Sequence, residues 1–419
     1  MVKKGYKQTE VGLIPEKWAV STIGAIADVK TGPFGSALHA EDYVQDGTPI
    51  ITVEHLGETG LTHQNLPKVS EKDRHRLFAY SMHEGDIVFS RVGSVDRNAY
   101  VTAIENGWLF SGRILRLRAK NEKLSTQYLG YYFKSEDTKE RIRNVAVGQT
   151  MPSLNTKLMN AFKVVLPTIE EQKDIAALLS NMDTLISALE KQISKKKAIK
   201  QGAMQELLTG KRRLPGFSGE WETRTLHEIS NEMVDGPFGS NLKTEHYTTE
   251  RQVRIIQLSN IGEAGWNNAN VKYTTFGHAA ELQRCIVQPG SILIAKMMPA
   301  GRAIICPDNE KSYILGSDVV KVVPNSSVDS RYLVYATKSR FYLDQIADDT
   351  QGSTRARTSV SKLRKTTILF PEKDEQIAIA DILSEMDMEI AALEGKIAKY
   401  RQIKQGMMQQ LLTGKIRLV

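Results

Sequence analysis

Two long stretches of the chain carry hydrophobic residues at intervals of three and four positions, separated by polar and charged residues. The first runs from Ile175 to Ile193 and the second from Ile379 to Ile397. This spacing leaves one narrow apolar stripe on an α-helix, as in helices that pair with another helix. The pattern therefore predicts two long amphipathic helices. The residues expected to mediate helix pairing are Leu178, Met182, Leu185, Leu189 and Ile193, and Ile382, Met386, Ile390, Leu393 and Ile397.

The predicted helices have recognisable ends. Thr168 and Glu171 form a capping-box pair before the first helix, and Gly210 is a typical stop signal after it. The second copy has Glu372 in place of Thr168, so its start is less sharply marked. Residues 169–201 alone would span roughly 50 Å at about 1.5 Å per residue.

The two stretches belong to an internal repeat. The sequences IKQGAMQELLTGKRRL (199–214) and IKQGMMQQLLTGKIRL (403–418) are identical at 13 of 16 positions and lie 204 residues apart. The same spacing separates the Glu-Gln pairs at 171–172 and 375–376, and the Gly-Pro-Phe-Gly-Ser segments at 32–36 and 236–240. Two copies are too few for a solenoid, so the repeat predicts a pseudo-two-fold protein with two equivalent working surfaces.

Each predicted helix needs a partner, because a narrow apolar stripe cannot be buried within its own helix. The best-matched partner is the other copy. The intervening segment would form a domain about 35–40 Å across, which is shorter than the helix. We therefore expect the second helix to run antiparallel to the first, with one globular domain at each end of the rod. The alternative is that each helix packs on its own domain as a core element.

Outside the helices, short apolar runs rich in β-branched residues alternate with turn residues, which is typical of strands. The predicted fold class is α+β, with two mixed α/β domains joined and spaced by two long antiparallel α-helices. The predicted boundaries are 1–166 for the first domain, 167–214 for the central helical spacer, 215–370 for the second domain and 371–419 for the C-terminal helical spacer.

Composition is that of an ordinary globular protein, with 41% hydrophobic and 25% charged residues among 419. No apolar run is long enough for a signal peptide or a membrane span, so we expect a cytoplasmic protein without membrane contact. Cys285 and Cys306 are the only cysteines, which excludes a disulfide framework and a cysteine-based zinc site. The net charge of +8 suits a polyanion partner, although many soluble proteins match it.

Several segments outside the helices recur in both copies. In the Gly-Pro-Phe-Gly-Ser loops, glycines around a rigid proline let backbone N–H groups approach a ligand or phosphate closely, and a tight structural turn is the commoner explanation. Residues 85–91 match residues 290–296, and Arg97 matches Arg302, each 205 residues apart. A shared frame that carries different side chains indicates two related sites for two different targets.

Two variable domains, each followed by a Pro-x-x-x-Glu-Gln helix that ends in Leu-Leu-Thr-Gly-Lys-x-Arg-Leu, resemble the DNA specificity subunit of type I restriction-modification systems. The resemblance covers essentially the whole chain. Its strongest segments are 171–172 with 207–214 and 375–376 with 411–418. Supporting segments are the Gly-Pro-Phe-Gly-Ser loops, residues 85–93 and the pre-helix segments 148–154 and 352–355. Met151 stands where the second copy has Arg355, so equal roles for these two positions are not expected.

The resemblance implies partners and cofactors as well as a function. Each domain would be a target-recognition domain for one half of a bipartite DNA sequence, and the helices would hold two methyltransferase subunits. Restriction subunits would join the complex. The chain itself would bind no cofactor, because S-adenosylmethionine, ATP and Mg²⁺ would belong to the partner subunits.

Reading of double-stranded DNA needs basic and amide side chains at the grooves and backbone groups near phosphates. Arg116 could instead lie on the solvent side of a strand, and most of the basic residues could simply keep a surface soluble. The candidate DNA-binding residues in the first copy are Gly35, Ser36, Arg91, Arg97, Arg116, Gln149 and Thr150, and those in the second copy are Gly239, Ser240, Lys296, Arg302, Arg355 and Arg357.

The sequence gives no sign of catalysis or of a metal site in this chain. There is no Gly-x-x-x-x-Gly-Lys-Ser/Thr loop for ATP and no Asn/Asp-Pro-Pro-Tyr/Phe box of an adenine methyltransferase. Two other hypotheses remain open at this point. A coiled-coil scaffold would not bind DNA, and a stand-alone methyltransferase or nuclease would be active without partners.

Overall fold

The computed structural model describes residues 4–33, 38–148, 152–297, 299–350 and 357–418. The chain divides into two units. The first unit consists of residues 1–190 and 396–419, and the second of residues 191–395. Each unit therefore contains one mixed α/β domain together with a part of each long helix.

The helices are α1 (Ile23–Ile26), α2 (Glu71–Arg76), α3 (Thr126–Lys134), α4 (Glu136–Val145), α5 (Thr156–Ala161), α6 (Ile169–Leu207), α7 (Phe276–Glu281), α8 (Ser330–Ala336), α9 (Arg340–Thr350), α10 (Val360–Lys365) and α11 (Lys373–Leu411). The strands of the first unit are β1 (Tyr6–Thr9), β2 (Gly12–Pro15), β3 (Ala19–Thr22), β4 (Ala27–Thr31), β5 (Tyr43–Val44), β6 (Thr48–Ile51), β7 (Lys68–Val69), β8 (Ile87–Ser90), β9 (Asn98–Tyr100), β10 (Leu109–Phe110), β11 (Ile114–Ala119) and β12 (Lys163–Leu166). Those of the second unit are β13 (Glu222–Thr225), β14 (Ser230–Asp235), β15 (Tyr247–Thr248), β16 (Val253–Ile256), β17 (Ile261–Gly262), β18 (Gly265–Trp266), β19 (Tyr273–Thr274), β20 (Ile286–Val287), β21 (Ile292–Ala295), β22 (Ala303–Ile305), β23 (Tyr313–Leu315), β24 (Val319–Pro324) and β25 (Thr367–Phe370).

The central sheet of the first unit is antiparallel, in the order β4-β11-β8-β9. All four residues of β8 are buried, because the sheet is covered on both faces. Ile87 and Phe89 pack with the aromatic side chains of α3, whereas Val88 packs with Ile51 and Phe110 of a second sheet, ordered β10-β6-β7-β5. Strand side chains alternate between the two faces, so an uninterrupted apolar run serves two cores.

The second unit repeats this arrangement with different residues. Its central sheet has the order β14-β24-β21-β22 and its second sheet the order β15-β19-β16-β23-β20. In β21, Ile292 and Ile294 face the core that contains α8, and Leu293 and Ala295 face the second sheet. The copies therefore share topology in their central sheets, while the second sheets differ in strand number.

In the first unit, the beginning of α6 and the end of α11 pack together and on the domain. Ile175 and Leu179 of α6 lie in the same core cluster as Leu411 of α11. Two ion pairs cross between the helices, Lys404 to Asp183 at 2.5 Å and Arg401 to Glu190 at 2.6 Å. The residue number rises along α6 as it falls along α11, so these segments are antiparallel.

The second unit contains the complementary parts of the two helices. Its core cluster includes Met204 and Leu207 of α6, Leu208 just after α6, and Ile379, Ala380 and Leu383 of α11. Lys200 pairs with Asp387 at 2.5 Å, and Lys196 with Glu389 at 2.5 Å, again in antiparallel order.

The prediction of an α+β protein with two long helices is confirmed. Pairing and packing on the domain, which the sequence presented as alternatives, both occur in each unit. Leu178 and Leu185 are 37% exposed, so the prediction that helix pairing buries them is wrong. The buried positions include Ile175, Leu179 and Ile186, because the apolar surface of α6 is wider than a single seam. The other predicted pairing residues are buried (Leu189, Ile193, Ile390, Ile397) or half-buried (Met182, Ile382, Met386, Leu393).

Candidate nucleic-acid interface

Glu171, at the start of α6, anchors the domain of the first unit to both helices. Its side chain is only 2% exposed and accepts three hydrogen bonds. Trp18 Nε1, at the start of the domain, donates to Oε2 at 2.9 Å. Arg417, after the end of α11, donates through Nε to Oε1 at 2.9 Å and through Nη2 to Oε2 at 2.7 Å. These hydrogen bonds from Trp18 and Arg417 offset the cost of burying a charged carboxylate.

The second unit contains the same anchor. Glu375 is fully buried and accepts from Trp221 Nε1 at 3.0 Å. Arg213, after the end of α6, donates to its two oxygens at 2.7 and 2.8 Å. The sequence repeat revealed the glutamates and arginines as parts of motifs, but only the structure shows that Trp, Glu and Arg converge. Each anchor joins an arginine of one copy to a glutamate of the other.

The glutamine that follows each of these glutamates holds backbone groups. Gln172 Oε1 accepts from Ser125 N at 2.9 Å, and its Nε2 donates to Pro167 O at 3.0 Å. Gln376 accepts from Asp329 N at 2.9 Å and donates to Pro371 O at 2.9 Å. An amide is needed here because the side chain must both donate and accept.

A second repeated contact connects the domain to both helices further along. In the first unit, Tyr131 donates to Asp183 at 2.8 Å, and Asp183 is paired with Lys404. In the second unit, Tyr335 donates to Asp387 at 2.8 Å, which is paired with Lys200. Burial, together with the neighbouring carboxylate, raises the pKa of Tyr335 to about 12. The hydroxyl therefore stays protonated and donates at neutral pH.

Three segments that carry the resemblance come together in the first unit, at the end of the central sheet where β4 and β8 end and β11 begins. We call this end of the sheet, marked by Gly32, Arg91 and Arg113, the loop end. Gly32 N donates to Ile114 O at 3.1 Å, and Arg91 N donates to Arg113 O at 2.8 Å. The pre-helix segment joins them, since Leu154 N donates to Arg91 O at 2.8 Å. Three segments that are distant in sequence therefore form one surface.

The loop end of the second unit is built from the equivalent segments. Gly236 N donates to Val319 O at 3.0 Å, Lys296 N to Asp318 O at 2.9 Å, and Thr358 N to Lys296 O at 2.8 Å. The first glycine of each Gly-Pro-Phe-Gly-Ser loop has a packing role here. A Cβ on Gly236 would lie 1.8 Å from the carbonyl oxygen of Gly316, and a Cβ on Gly32 would lie 2.1 Å from that of Ser111.

Several predicted DNA-binding residues lie at or beside these loop ends. Arg91 is half-buried and donates from Nη1 to Gly112 O at 3.1 Å, and Arg97 donates from Nη2 to Leu56 O. Arg302 is half-buried, and its guanidinium makes no hydrogen bond or ion pair with a described residue. Arg357 is exposed and pairs with Asp318 at 3.1 Å. Gly239 and Ser240 form an exposed turn.

Two predicted residues are not accessible to DNA, which corrects their assignment. Arg116 is 4% exposed and donates to Asp28 at 2.6 Å, so the solvent-side alternative is also wrong. Lys296 is 4% exposed, lies 3.7 Å from Asp235 and stands over the ring of Phe238. Burial lowers the pKa of both cations, and each one is held by a carboxylate within the domain. Strand alternation could not show that both faces of these sheets are covered.

Five predicted residues lie outside the described part of the chain, namely Gly35, Ser36, Gln149, Thr150 and Arg355. One basic residue at the loop end of the first unit was not selected from the sequence. Arg113 is exposed, and its side chain makes no hydrogen bond or ion pair with a described residue. Its position before the first buried residue of β11 was the available signal. The described residues contain no group of His, Cys, Asp or Glu side chains that could hold a metal ion.

The comparison with known families decides the class of this protein. The type I restriction modification DNA specificity domain matches the chain twice, over residues 15–200 and 219–402. The chain belongs to this family. The resemblance inferred from the repeated motifs is confirmed, and DNA specificity in a type I restriction-modification system is its function class. Specificity subunits of type I restriction-modification systems are non-catalytic members of this family. Among the described helices, none is apolar enough over a sufficient length to cross a membrane.

Relatives match the chain over nearly its full length. It is 27% identical to a putative type I restriction enzyme MjaX specificity subunit of Methanocaldococcus jannaschii, over 99% of this chain and 97% of that protein. It is 24% identical to the MjaVIII specificity subunit of the same organism, with the same two coverages.

Solved structures share the fold at low sequence identity. The type I restriction-modification S subunit from M. genitalium superposes with a TM-score of 0.59 at 16% identity, over 94% of this chain and 96% of that one. A chain from a structure on complex assembly and conformational transition of the type I R-M system gives a TM-score of 0.56 at 14% identity, over 96% and 99%.

Proposed function

We propose that each unit reads one half of a bipartite, asymmetric DNA target through its loop end. The observation that carries this proposal is the equivalence of the two loop ends. The same three segments meet in each unit, but the side chains that they present differ. Arg113 is exposed in the first unit, at the position that Asp318 occupies in the second, and Arg357 is exposed in the second unit. An identical frame with different polar groups suits two readers of two different base sequences.

The exposed apolar residues of the helices support docking of methyltransferase subunits. In the first unit, Leu178 and Leu185 are each 37% exposed and Ile403 is 40% exposed. In the second unit, Ile199 is 52% and Met388 is 66% exposed. Apolar side chains left uncovered on paired helices can be buried by helices of a partner, as in helix bundles. We assign two methyltransferase subunits to these surfaces. Restriction subunits would then join the complex that the methyltransferase subunits complete.

The chemistry of the complex would belong to these partners. S-adenosylmethionine, ATP and Mg²⁺ would bind to them, and this chain would bring their active sites to the target. Such a role places the protein with the genome, in the cytoplasm.

The proposal is tested by expressing the chain with its methyltransferase subunit and mapping methylated positions across genomic DNA. The expected result is one bipartite motif with an unread spacer, and no methylation by either protein alone. Affinity of the complex for the target should fall steeply as salt rises, because basic side chains displace counterions from phosphates. A complex that does not bind DNA at any salt concentration would indicate a scaffold. Methylation or cleavage of DNA by the chain alone would indicate an enzyme.

A further inference from the structure

Each unit contains a polar loop after a short β-hairpin, at equivalent positions in the two copies. The hairpin of the first unit is closed by a bridge between Leu56 and Leu61, and that of the second by the pairing of β17 with β18, which places Ile261 opposite Trp266. The loops that follow are residues 62–66 (Thr-His-Gln-Asn-Leu) and 267–271 (Asn-Asn-Ala-Asn-Val). We call them the amide loops. Neither loop was selected from the sequence.

The two amide loops share one backbone conformation. Asn65 and Asn270, the fourth residue of each loop, have φ angles of 53° and 54°. They are the only non-glycine residues with positive φ in the described part of the chain. Asparagine tolerates this region better than most side chains, so the same residue type is expected at both positions.

In each unit, one buried polar side chain donates hydrogen bonds to backbone carbonyl groups of the amide loop. In the first unit, His55 is 4% exposed. Thr52 N donates to its Nδ1 at 3.0 Å, so Nε2 carries the proton and donates to Gln64 O at 3.2 Å. The loop backbone is therefore fixed by a residue that is itself held in the core.

In the second unit, Asn260 occupies the equivalent position and is fully buried. Gln257 N donates to its Oδ1 at 2.8 Å, and its Nδ2 donates to Asn267 O and Ala269 O, each at 2.8 Å. Two chemically different side chains thus perform the same task. What the two copies preserve is the position of the loop.

His63 is paired with Glu105, and Asn267 accepts from Ala269 N, but the other amide side chains of the loops are available to bind a ligand. Residues 62–65 and 267–271 are exposed. The amides of Gln64, Asn65 and Asn270 make no hydrogen bond with any described residue, and Asn268 has only a 3.4 Å contact from Arg254. Gln and Asn amides offer the donor–acceptor pair that reads adenine in the major groove.

Basic residues contact the hairpin that leads into the amide loop of the first unit. Arg97 donates to Leu56 O at the base of the hairpin, and Lys134 donates to Thr59 O at 3.4 Å. Arg97 immediately precedes β9 of the central sheet, and Arg91 of the loop end immediately follows β8 of the same sheet. A phosphate contact at Arg97 would place the adjacent loop near base edges.

We propose that the amide loops are specificity-determining elements that read base edges of the target, with His55 and Asn260 as their positioning residues. This inference rests on the proposed function. Free amides on a loop of fixed backbone can discriminate bases, because the cost of ordering the loop has been met before binding. Different residues on equivalent loops would then give the two half-sites different sequences.

The test uses the complete complex of the chain with its methyltransferase subunits and maps methylated positions on genomic DNA. Gln64→Ala should relax one base position in one half-site about 10- to 100-fold, as expected for the loss of one bidentate base contact. Replacing residues 62–66 by the sequence of 267–271, which retains asparagine at the fourth position, should change that half-site only. Gln8→Ala removes an exposed amide on β1 and should leave both half-sites unchanged.

The positioning role is tested at His55. His55→Asn supplies the group that the second unit uses and should retain recognition, whereas His55→Leu should relax the same half-site as Gln64→Ala. Circular dichroism and thermal melting show whether each variant is folded. If wild type reads a bipartite motif but both loop variants leave it intact, the inference is overturned and the proposed function stands. If the wild-type complex has no sequence preference, both are overturned.

Discussion

Replacing Arg417 by Met should destabilise the first unit more than loss of a surface ion pair would. Arg417 makes two hydrogen bonds to Glu171, whose side chain is only 2% exposed. Met approximates the volume of the arginine stem but leaves a buried carboxylate with Trp18 as its single partner. Breaking a buried pair by removing one member costs about 3 kcal/mol, because the remaining charge is desolvated without compensation. For a unit of this size, that cost lowers the melting temperature by about 6 to 12 °C.

The assay is calorimetry of the single variants and of a double variant. Glu171→Gln combined with Arg417→Met removes the unpaired charge while keeping an acceptor for Trp18, so it should recover at least half of the lost stability. Arg213→Met is the matched control, because it breaks the equivalent anchor at Glu375 and should destabilise the second unit instead. An Arg417→Met protein that melts within about 2 °C of wild type, or a double variant as unstable as the single one, would refute the reasoning.

Three further predictions concern recognition, assembly and packing. Arg302→Ala should relax recognition of one half-site when methylated positions are mapped, and equal loss at both half-sites would contradict separate readers. Leu185→Asp should leave the chain folded but weaken methyltransferase binding in a pull-down, because Leu185 is exposed, whereas Ile390→Asp should unfold the buried seam. Gly236→Ala should be strongly destabilising because its Cβ would lie 1.8 Å from a carbonyl oxygen, and Gly406→Ala, with open space around the Cβ, should stabilise α11 by about 1 kcal/mol in thermal melting.

Much of the protein could be predicted from the sequence, because its strongest signals are local or repeated. Helical periodicity gave both long helices, and Thr168 lies directly before the observed start of α6 at Ile169, where its hydroxyl accepts from Glu171 N at 3.4 Å. The Glu171 carboxylate does not complete the predicted capping box, because it binds Trp18 and Arg417. The 204-residue repeat gave the two equivalent domains and the family. Periodicity does not distinguish a buried residue of the apolar stripe from one at its exposed edge. It could not show that Leu179 is buried whereas Leu178 is exposed.

The sites depended on tertiary structure, because they are formed by residues far apart in the chain. The sequence marks Glu171 and Arg417 as parts of repeated motifs, yet only the fold brings their side chains to one buried anchor. In the sequence, Arg116 is a basic residue in a predicted strand. It is buried because both faces of the sheet are covered, which only the structure shows. The composition of a chain and its local periodicity determine which elements form. The packing of those elements determines which polar groups are desolvated, paired or left free for DNA. Burial and charge pairing depend on neighbours that are distant in the sequence.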